Sequence, residues 1–211
     1  MTDNAPRVIL LHGLWMRGFA LAMLQRRLRD AEFDVYRFEY MSVAAPPEQA
    51  IARLRKRMKA LGDGPVHLVG HSLGGILGLL ACRDDDDLPP GRIVCLGSPL
   101  AGSAAARGLT GHWGGDMLLG RSRELLAHGL ERWDGGREVG MIAGRMPVGL
   151  GAFVSDIANG EHDGSVAVSE TQLPGIAAHC TLETSHTGLL VSADVARQVV
   201  SFLRSGRFEL P

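Results

Sequence analysis

A serine stands among glycines at Gly70-His71-Ser72-Leu73-Gly74-Gly75. The residues before it, Val66 to Val69, read as a buried strand, and the apolar run from Leu73 to Cys82 reads as a helix. The chain therefore turns from strand to helix with almost no loop, the context in which a G-x-S-x-G pattern carries chemistry. Such a turn strains the backbone at the serine. Side chains two residues to either side would collide, which explains the glycines. The hydroxyl is held out at the end of a strand, beside the free N–H groups and positive dipole end of the following helix. That is the setting of a nucleophile. The plainer alternative is an N-cap serine at a glycine-rich helix start. A phosphate-binding loop is disfavoured, because the segment has neither a Gly-Lys-Ser/Thr ending nor a G-x-G-x-x-G order.

A serine hydroxyl needs a base, and the base needs an orienting group. The histidines downstream of Ser72 are His112, His128, His162, His179 and His186. The base is expected in the loop after the last strand. His186 follows the strand-like Cys180 to Thr184 and precedes the final apolar helix, whereas His179 would begin that strand, at the wrong end of the sheet. A cap on the last helix is the plain alternative for His186. Acidic residues downstream of Ser72 that could orient such a base include Asp134, Asp156, Glu161 and Asp163. Asp163 precedes Gly164, so an ordinary turn aspartate is its alternative. The backbone N–H of Leu73 is placed to stabilise negative charge developing on an attacked carbonyl.

The elements that must position these residues follow from periodicity. Val8–Leu11, Val35–Tyr40, Val66–Val69, Ile93–Leu96, Val139–Ala143 and Cys180–Thr184 read as strands. Helical spacing predicts helices over Phe19–Asp30, from Pro46-Pro47 to about Ala60, over Leu73–Cys82 and over Leu189–Leu203. This alternation calls for a parallel sheet with helices on both faces, joined by right-handed crossovers. Sites in such sheets form beyond the carboxyl ends of the strands. That rule selects His12-Gly13-Leu14, Gly70 to Gly75, Gly97-Ser98-Pro99, and the stretches after Ala143 and Thr184.

His12-Gly13, the Gly70 to Gly75 elbow, the run Gly97 to Ser103, Asp163-Gly164-Ser165-Val166 and Ser185-His186 together resemble the lipase and esterase branch of the α/β-hydrolase superfamily. The likeness is to small bacterial lipases and to hydrolases similar to GPI-inositol deacylase, and it spans most of the chain. It implies a three-layer α/β/α sandwich with a mainly parallel sheet of about six strands, in the order 2-1-3-4-5-6, without the family's usual N-terminal strand pair. It implies a Ser72, Asp163, His186 triad and a second oxyanion donor at the backbone of Leu14. Trp15 and Met16 become candidate walls of the substrate pocket, with Met117 and Met146 as further candidates; ordinary packing is the alternative for Trp15. The stretch from Gly102 to Arg137 is where many relatives carry a lid. Its apolar residues Met117, Leu118, Leu119, Leu125, Leu126 and Leu130 suit either a small cap or a helix packed on the sheet. The second is favoured, because charged residues interleave with the leucines.

The 211 residues suffice for one sizeable core, so residues 1–211 are expected to form a single domain with a possible small cap within 102–137. With 22 basic and 23 acidic residues, no electrostatic pull toward nucleic acid follows. The basic run Arg53, Arg55, Lys56, Arg57, Lys59 reads as the wet face of a helix whose dry face carries Ile51, Leu54, Met58 and Leu61. Cys82, Cys95 and Cys180 read as buried thiols in a reducing compartment. No signal-peptide pattern and no apolar run of membrane-spanning length occur, so a cytoplasmic location without integral membrane association is expected. No metal site is evident, and triad chemistry needs no cofactor. The expected partner is a small-molecule ester or lipid, cleaved through an acyl-enzyme on Ser72. Acyl transfer to another acceptor, and a non-catalytic binding domain with a vestigial triad, are the alternatives.

Overall fold

The computed structural model describes residues 5–62, 64–84, 87–109, 114, 117, 119–148 and 160–209. Six strands form one sheet: β1 (Arg7–Leu11), β2 (Asp34–Phe38), β3 (Val66–His71), β4 (Ile93–Leu96), β5 (Val139–Gly144) and β6 (Ala178–Leu182). Their order is β2-β1-β3-β4-β5-β6, and every neighbouring pair is parallel. The sequence-predicted order and class are those observed. β3, β4 and β5 are buried at every residue, as strands covered on both faces must be.

Strand alternation divides the core in two. Ile9, Leu11, Leu68, Ile93 and Met141 face one side, where they pack with Leu54 and Met58 of α2 (Pro47–Ala60) and Leu73 and Ile76 of α3 (Leu73–Arg83). Val8, Leu10, Val69, Val94 and Ile142 face the other, against Leu24 and Leu28 of α1 (Ala22–Asp30) and Val195, Val199 and Phe202 of the last helix, α6 (Ala193–Ser205). α3 is apolar around most of its circumference because it lies between the sheet and α2. On α2, Leu54 and Met58 are buried while Arg53, Lys56 and Arg57 are exposed. Arg53 lies over the Phe38 ring and Arg57 over the Tyr36 ring.

Several sequence-predicted boundaries move. The ladder with β5 runs from Gly140↔Ala178 to Gly144↔Leu182, so β6 starts and ends two residues earlier than Cys180–Thr184. The last helix is preceded by a 3-10 turn (Gly188–Leu190) and begins after Ser192, whose Oγ accepts from the Val195 N–H. The stretch between β4 and β5 is not one surface helix. It contains α4 (Ala104–Leu109), a 3-10 turn (Gly120–Ser122) and α5 (Arg123–His128). Gly120 has φ +58°, and a Cβ there would meet the Val43 carbonyl oxygen at 2.4 Å, so the leucine spacing is broken at that point. Leu118 lies outside the described residues.

Candidate active site

Ser72 connects β3 to α3 with φ 53° and ψ −122°, a conformation that costs a non-glycine residue energy. The flanking glycines permit it by their lack of bulk. A Cβ on Gly70 would come within 2.4 Å of the Gly74 backbone, and one on Gly74 within 2.6 Å of the Leu11 carbonyl oxygen. The elbow is thus pressed against the end of β1, which brings the loop after β1 beside the serine. A Cβ on Gly13 would lie 3.1 Å from Ser72 Cβ.

Asp163 and His186 come from the loops on either side of β6. The His186 N–H donates to the Asp163 carbonyl at 2.8 Å. The side chains meet as well, Nδ1 of His186 lying 2.7 Å from Asp163 Oδ2. A carboxylate accepts, so Nδ1 carries the hydrogen and Nε2 keeps its lone pair, the tautomer a general base requires. The other carboxylate oxygen, Oδ1, accepts from the backbone N–H groups of Ser165 (2.9 Å) and Val166 (2.8 Å). Three donors therefore satisfy a side chain that is 1% exposed. Gly97, at the end of β4, makes room for the pair: a Cβ there would meet Asp163 Oδ2 at 2.9 Å and His186 Nδ1 at 3.1 Å.

Ser72 and His186 line one cavity of about 550 Å³ beyond the carboxyl ends of the strands. Leu14, Trp15 and Met16 form one side, and Leu109, Leu119 and Leu126 come from the β4–β5 segment. Among the described residues no hydrogen bond joins Ser72 Oγ to His186 Nε2, and in enzymes free of substrate this bond is often long. The backbone N–H groups of Leu14 and Leu73 make no backbone hydrogen bond among the described residues. Trp15 has φ 58° in the turn that carries Leu14, which the Met16 N–H closes by donating to the Gly13 carbonyl at 3.3 Å.

Other sequence candidates lie elsewhere. Met117 and Met146 are exposed and are not among the residues that line the cavity. Asp134 pairs with Arg83, and Glu161 lies 3.5 Å from Arg145. Asp156 and His112 lie outside the described residues. His179 is inside β6, with Nε2 2.8 Å from Thr171 Oγ1. His162 accepts from the Gly164 N–H at 3.1 Å, and His128 is exposed beside Glu124. Among the described residues no group of three or more His, Cys, Asp or Glu side chains is placed to hold a metal ion. No helix among them is long and apolar enough to cross a membrane.

Two contributors carry little sequence signal. Glu170, buried, accepts from the Ala104 N–H (2.5 Å) and the Ala167 N–H (2.9 Å), joining the Asp163 loop to the start of α4. Its position in a 3-10 turn (Val168–Thr171) leaves no periodicity to read. Gly97 follows a strand in the segment that the carboxyl-end rule selects, but its clearance for Asp163 depends on residues far away in sequence.

Residues 8–202 match the sequence model of the alpha/beta hydrolase family. The chain belongs to that family. Among curated proteins, none matches the sequence. Solved structures of this fold include the mature form of the Bacillus licheniformis lipase BlEst2, with a TM-score of 0.75 and 18% identity over 96% of this chain and 92% of that one. An enol-lactonase from Burkholderia xenovorans superposes with a TM-score of 0.67 at 17% identity, over 96% of this chain and 93% of the other. A Paleococcus ferrophilus monoacylglycerol lipase gives 0.63 at 17% identity, over 97% of each chain. At these identities the likeness is one of fold. This α/β-hydrolase has its serine, histidine and aspartate in the chain order Ser, Asp, His.

Proposed function

We propose that the chain is a serine hydrolase that cleaves carboxylic esters through an acyl-enzyme on Ser72. The observation that carries this reading is the convergence of a strained elbow serine and an Asp163-oriented His186 on one cavity. In this reading His186 Nε2 takes the proton of Ser72 Oγ as the oxygen attacks the ester carbonyl. The new oxyanion is held by the Leu14 and Leu73 N–H groups. His186 then returns the proton to the departing alcohol. Water, activated by the same histidine, attacks the acyl-enzyme and releases the acid. Asp163 keeps the ring in its tautomer and stabilises the imidazolium formed on the way. No metal or organic cofactor enters these steps.

The walls of the cavity favour an apolar acyl group of short or medium length. Its 550 Å³ lies within the range of small-molecule sites, and Leu14, Met16, Leu109, Leu119 and Leu126 offer it no charge. The test is a panel of p-nitrophenyl esters of increasing acyl length, run with a fluorophosphonate probe. The probe should label the protein once, at Ser72, and Ser72→Ala should abolish both labelling and turnover. Labelling at Ser98 or Ser103 instead, or activity surviving in Ser72→Ala, would remove the assignment.

A further inference from the structure

His71 precedes the nucleophile in the chain, and its ring is buried among the groups assigned to the reaction. It is 1% exposed, and its centroid lies 4.5 Å from that of His186, with the two planes at 50°. Nε2 of His71 is 2.9 Å from the backbone carbonyl oxygen of His186. A carbonyl only accepts, so Nε2 carries the hydrogen and Nδ1 keeps its lone pair. Nδ1 has no hydrogen-bond partner among the described residues and faces Gly13, where an added Cβ would approach it to 3.0 Å. Burial, and after it the neighbouring His186, push the pKa of His71 down to about 3. The ring therefore stays a neutral donor at any pH near neutrality.

The bond matters because of what else holds His186. Its N–H and its ring Nδ1 both bond to Asp163, so both anchors lie in the loop between β5 and β6. Neither reaches the strand that carries the serine. The hydrogen bond from His71 to the His186 carbonyl makes that connection, from the residue adjacent to Ser72. The separation of Ser72 Oγ from His186 Nε2 depends on where the end of β3 and the loop after β6 are held relative to one another.

We propose that His71 is a positioning residue for the reaction at Ser72, its Nε2–H holding the His186 carbonyl and so fixing base and nucleophile in register. The proposal rests on the serine-hydrolase reading above. It differs from simple packing in what it requires at position 71. Packing needs the shape of a ring; positioning needs a neutral donor at the reach of Nε2.

The experiment compares His71→Phe, which keeps a ring and removes the donor, with His71→Gln, which removes the ring and keeps an amide donor. Both are assayed on a short p-nitrophenyl ester, with folding checked by circular dichroism and thermal melting. In His71→Phe, kcat should fall about ten- to a hundred-fold, the scale of a small misplacement of reacting groups. KM should stay within about threefold, since ground-state binding is untouched. His71→Gln should keep most of the wild-type kcat. Should His71→Phe fail to fold, His71→Asn replaces it, because its shorter amide falls short of the carbonyl and should show the same loss of kcat. A folded His71→Phe as fast as wild type overturns the proposal. So does a folded His71→Gln as slow as His71→Phe, which would reduce His71 to packing. Fluorophosphonate labelling of the wild type at Ser72 keeps the two readings apart. If it is absent, the hydrolase reading falls and this one with it; if it is present, the variants judge His71 alone.

Discussion

Gly97 has no side chain, yet it decides how closely Asp163 and His186 can lie against β4. Its φ of +53° is itself a conformation that L side chains rarely adopt, and a Cβ would also press on Leu189 at 2.7 Å. Gly97→Ala should therefore displace the acid–base pair. The expected result is a lowered kcat together with a lowered Tm, measured on the same preparation; unchanged values of both would mean that the pair tolerates the extra methyl. Asp163→Asn keeps the shape of the side chain and replaces the carboxylate. It should cost kcat up to about four orders of magnitude if the carboxylate holds the His186 tautomer, as in other triads. A loss under about tenfold would take the acid role away from Asp163. At this scale the sequence was informative where a residue's chemistry announces it. Ser72 and His186 could be nominated from residue type and turn context, whereas Asp163 was singled out among four acids by the family resemblance; Asp163 lies against His186, and Ser72 and His186 line one cavity. Gly97 and His71 lie in segments that the carboxyl-end rule selects but received no role, and Glu170 was not singled out, because each acts through contacts with distant segments. Met117, from the apolar spacing of the segment between β4 and β5, and Met146, from the glycine-rich stretch after β5, were proposed for a wall but are exposed and do not line the cavity, since neither signal tells a side chain facing a cavity from one facing solvent.

Between elements, Glu170 ties the segment carrying Asp163 to α4. Its two carboxylate oxygens serve two backbone N–H groups, one at the first residue of α4 and one in the loop carrying Asp163. The Ala101 N–H donates to the Glu170 carbonyl at 2.9 Å, so the two segments are stitched at two points, through Ala101 and Ala104. Ala105, Ala106 and Leu109 of α4 line the cavity, which places this stitching behind its wall. In Glu170→Gln one carboxylate oxygen becomes an NH₂ facing an N–H donor. A buried donor left without an acceptor costs about 1–3 kcal/mol. The variant should melt at lower temperature, and hydrogen exchange should quicken over Ala101–Leu109. Exchange there at the wild-type rate would show that the wall is held by packing alone. Element boundaries were less legible than element types for the same reason. The register of β6 is imposed by β5, which recruits Ala178 and His179 although neither favours a strand. The apolar residues from Met117 to Leu130 suggested a small cap or, favoured, a helix packed on the sheet, but Gly120 must pass the Val43 carbonyl, and that contact is invisible in the local pattern.

The molecule as a whole was the most legible level, because strand and helix periods alternate and parallel sheets with right-handed crossovers leave few topologies. The strand order came from the family resemblance, and the division of the core into two faces follows from strand alternation. A consequence of this architecture is that histidines lie on fully covered strands. His67, in β3, is 6% exposed; its Nδ1 accepts from the Arg92 N–H at 2.9 Å, and its ring meets Phe33 edge-on. Burial, then the charges of Arg92 and Arg137, push its pKa down to about 4 from 6.5. The folded state therefore resists a proton that the unfolded chain accepts readily. Between pH 6.5 and about 4 the unfolded state binds more protons, so stability rises with pH across that window and is lost as the pH falls through it. Above 6.5 the contribution is fully present. The shift corresponds to a loss on the order of 3 kcal/mol, as a cation forms beside two arginines and the acceptor for the Arg92 N–H disappears. His67→Asn offers an amide oxygen at the reach of Nδ1 to that N–H and cannot titrate. Thermal melts from pH 7.5 to pH 4 should show a fall in Tm for the wild type that is clearly shallower in His67→Asn, whatever the carboxylates add to both. Parallel curves for the two proteins would show that His67 is not a source of the acid sensitivity.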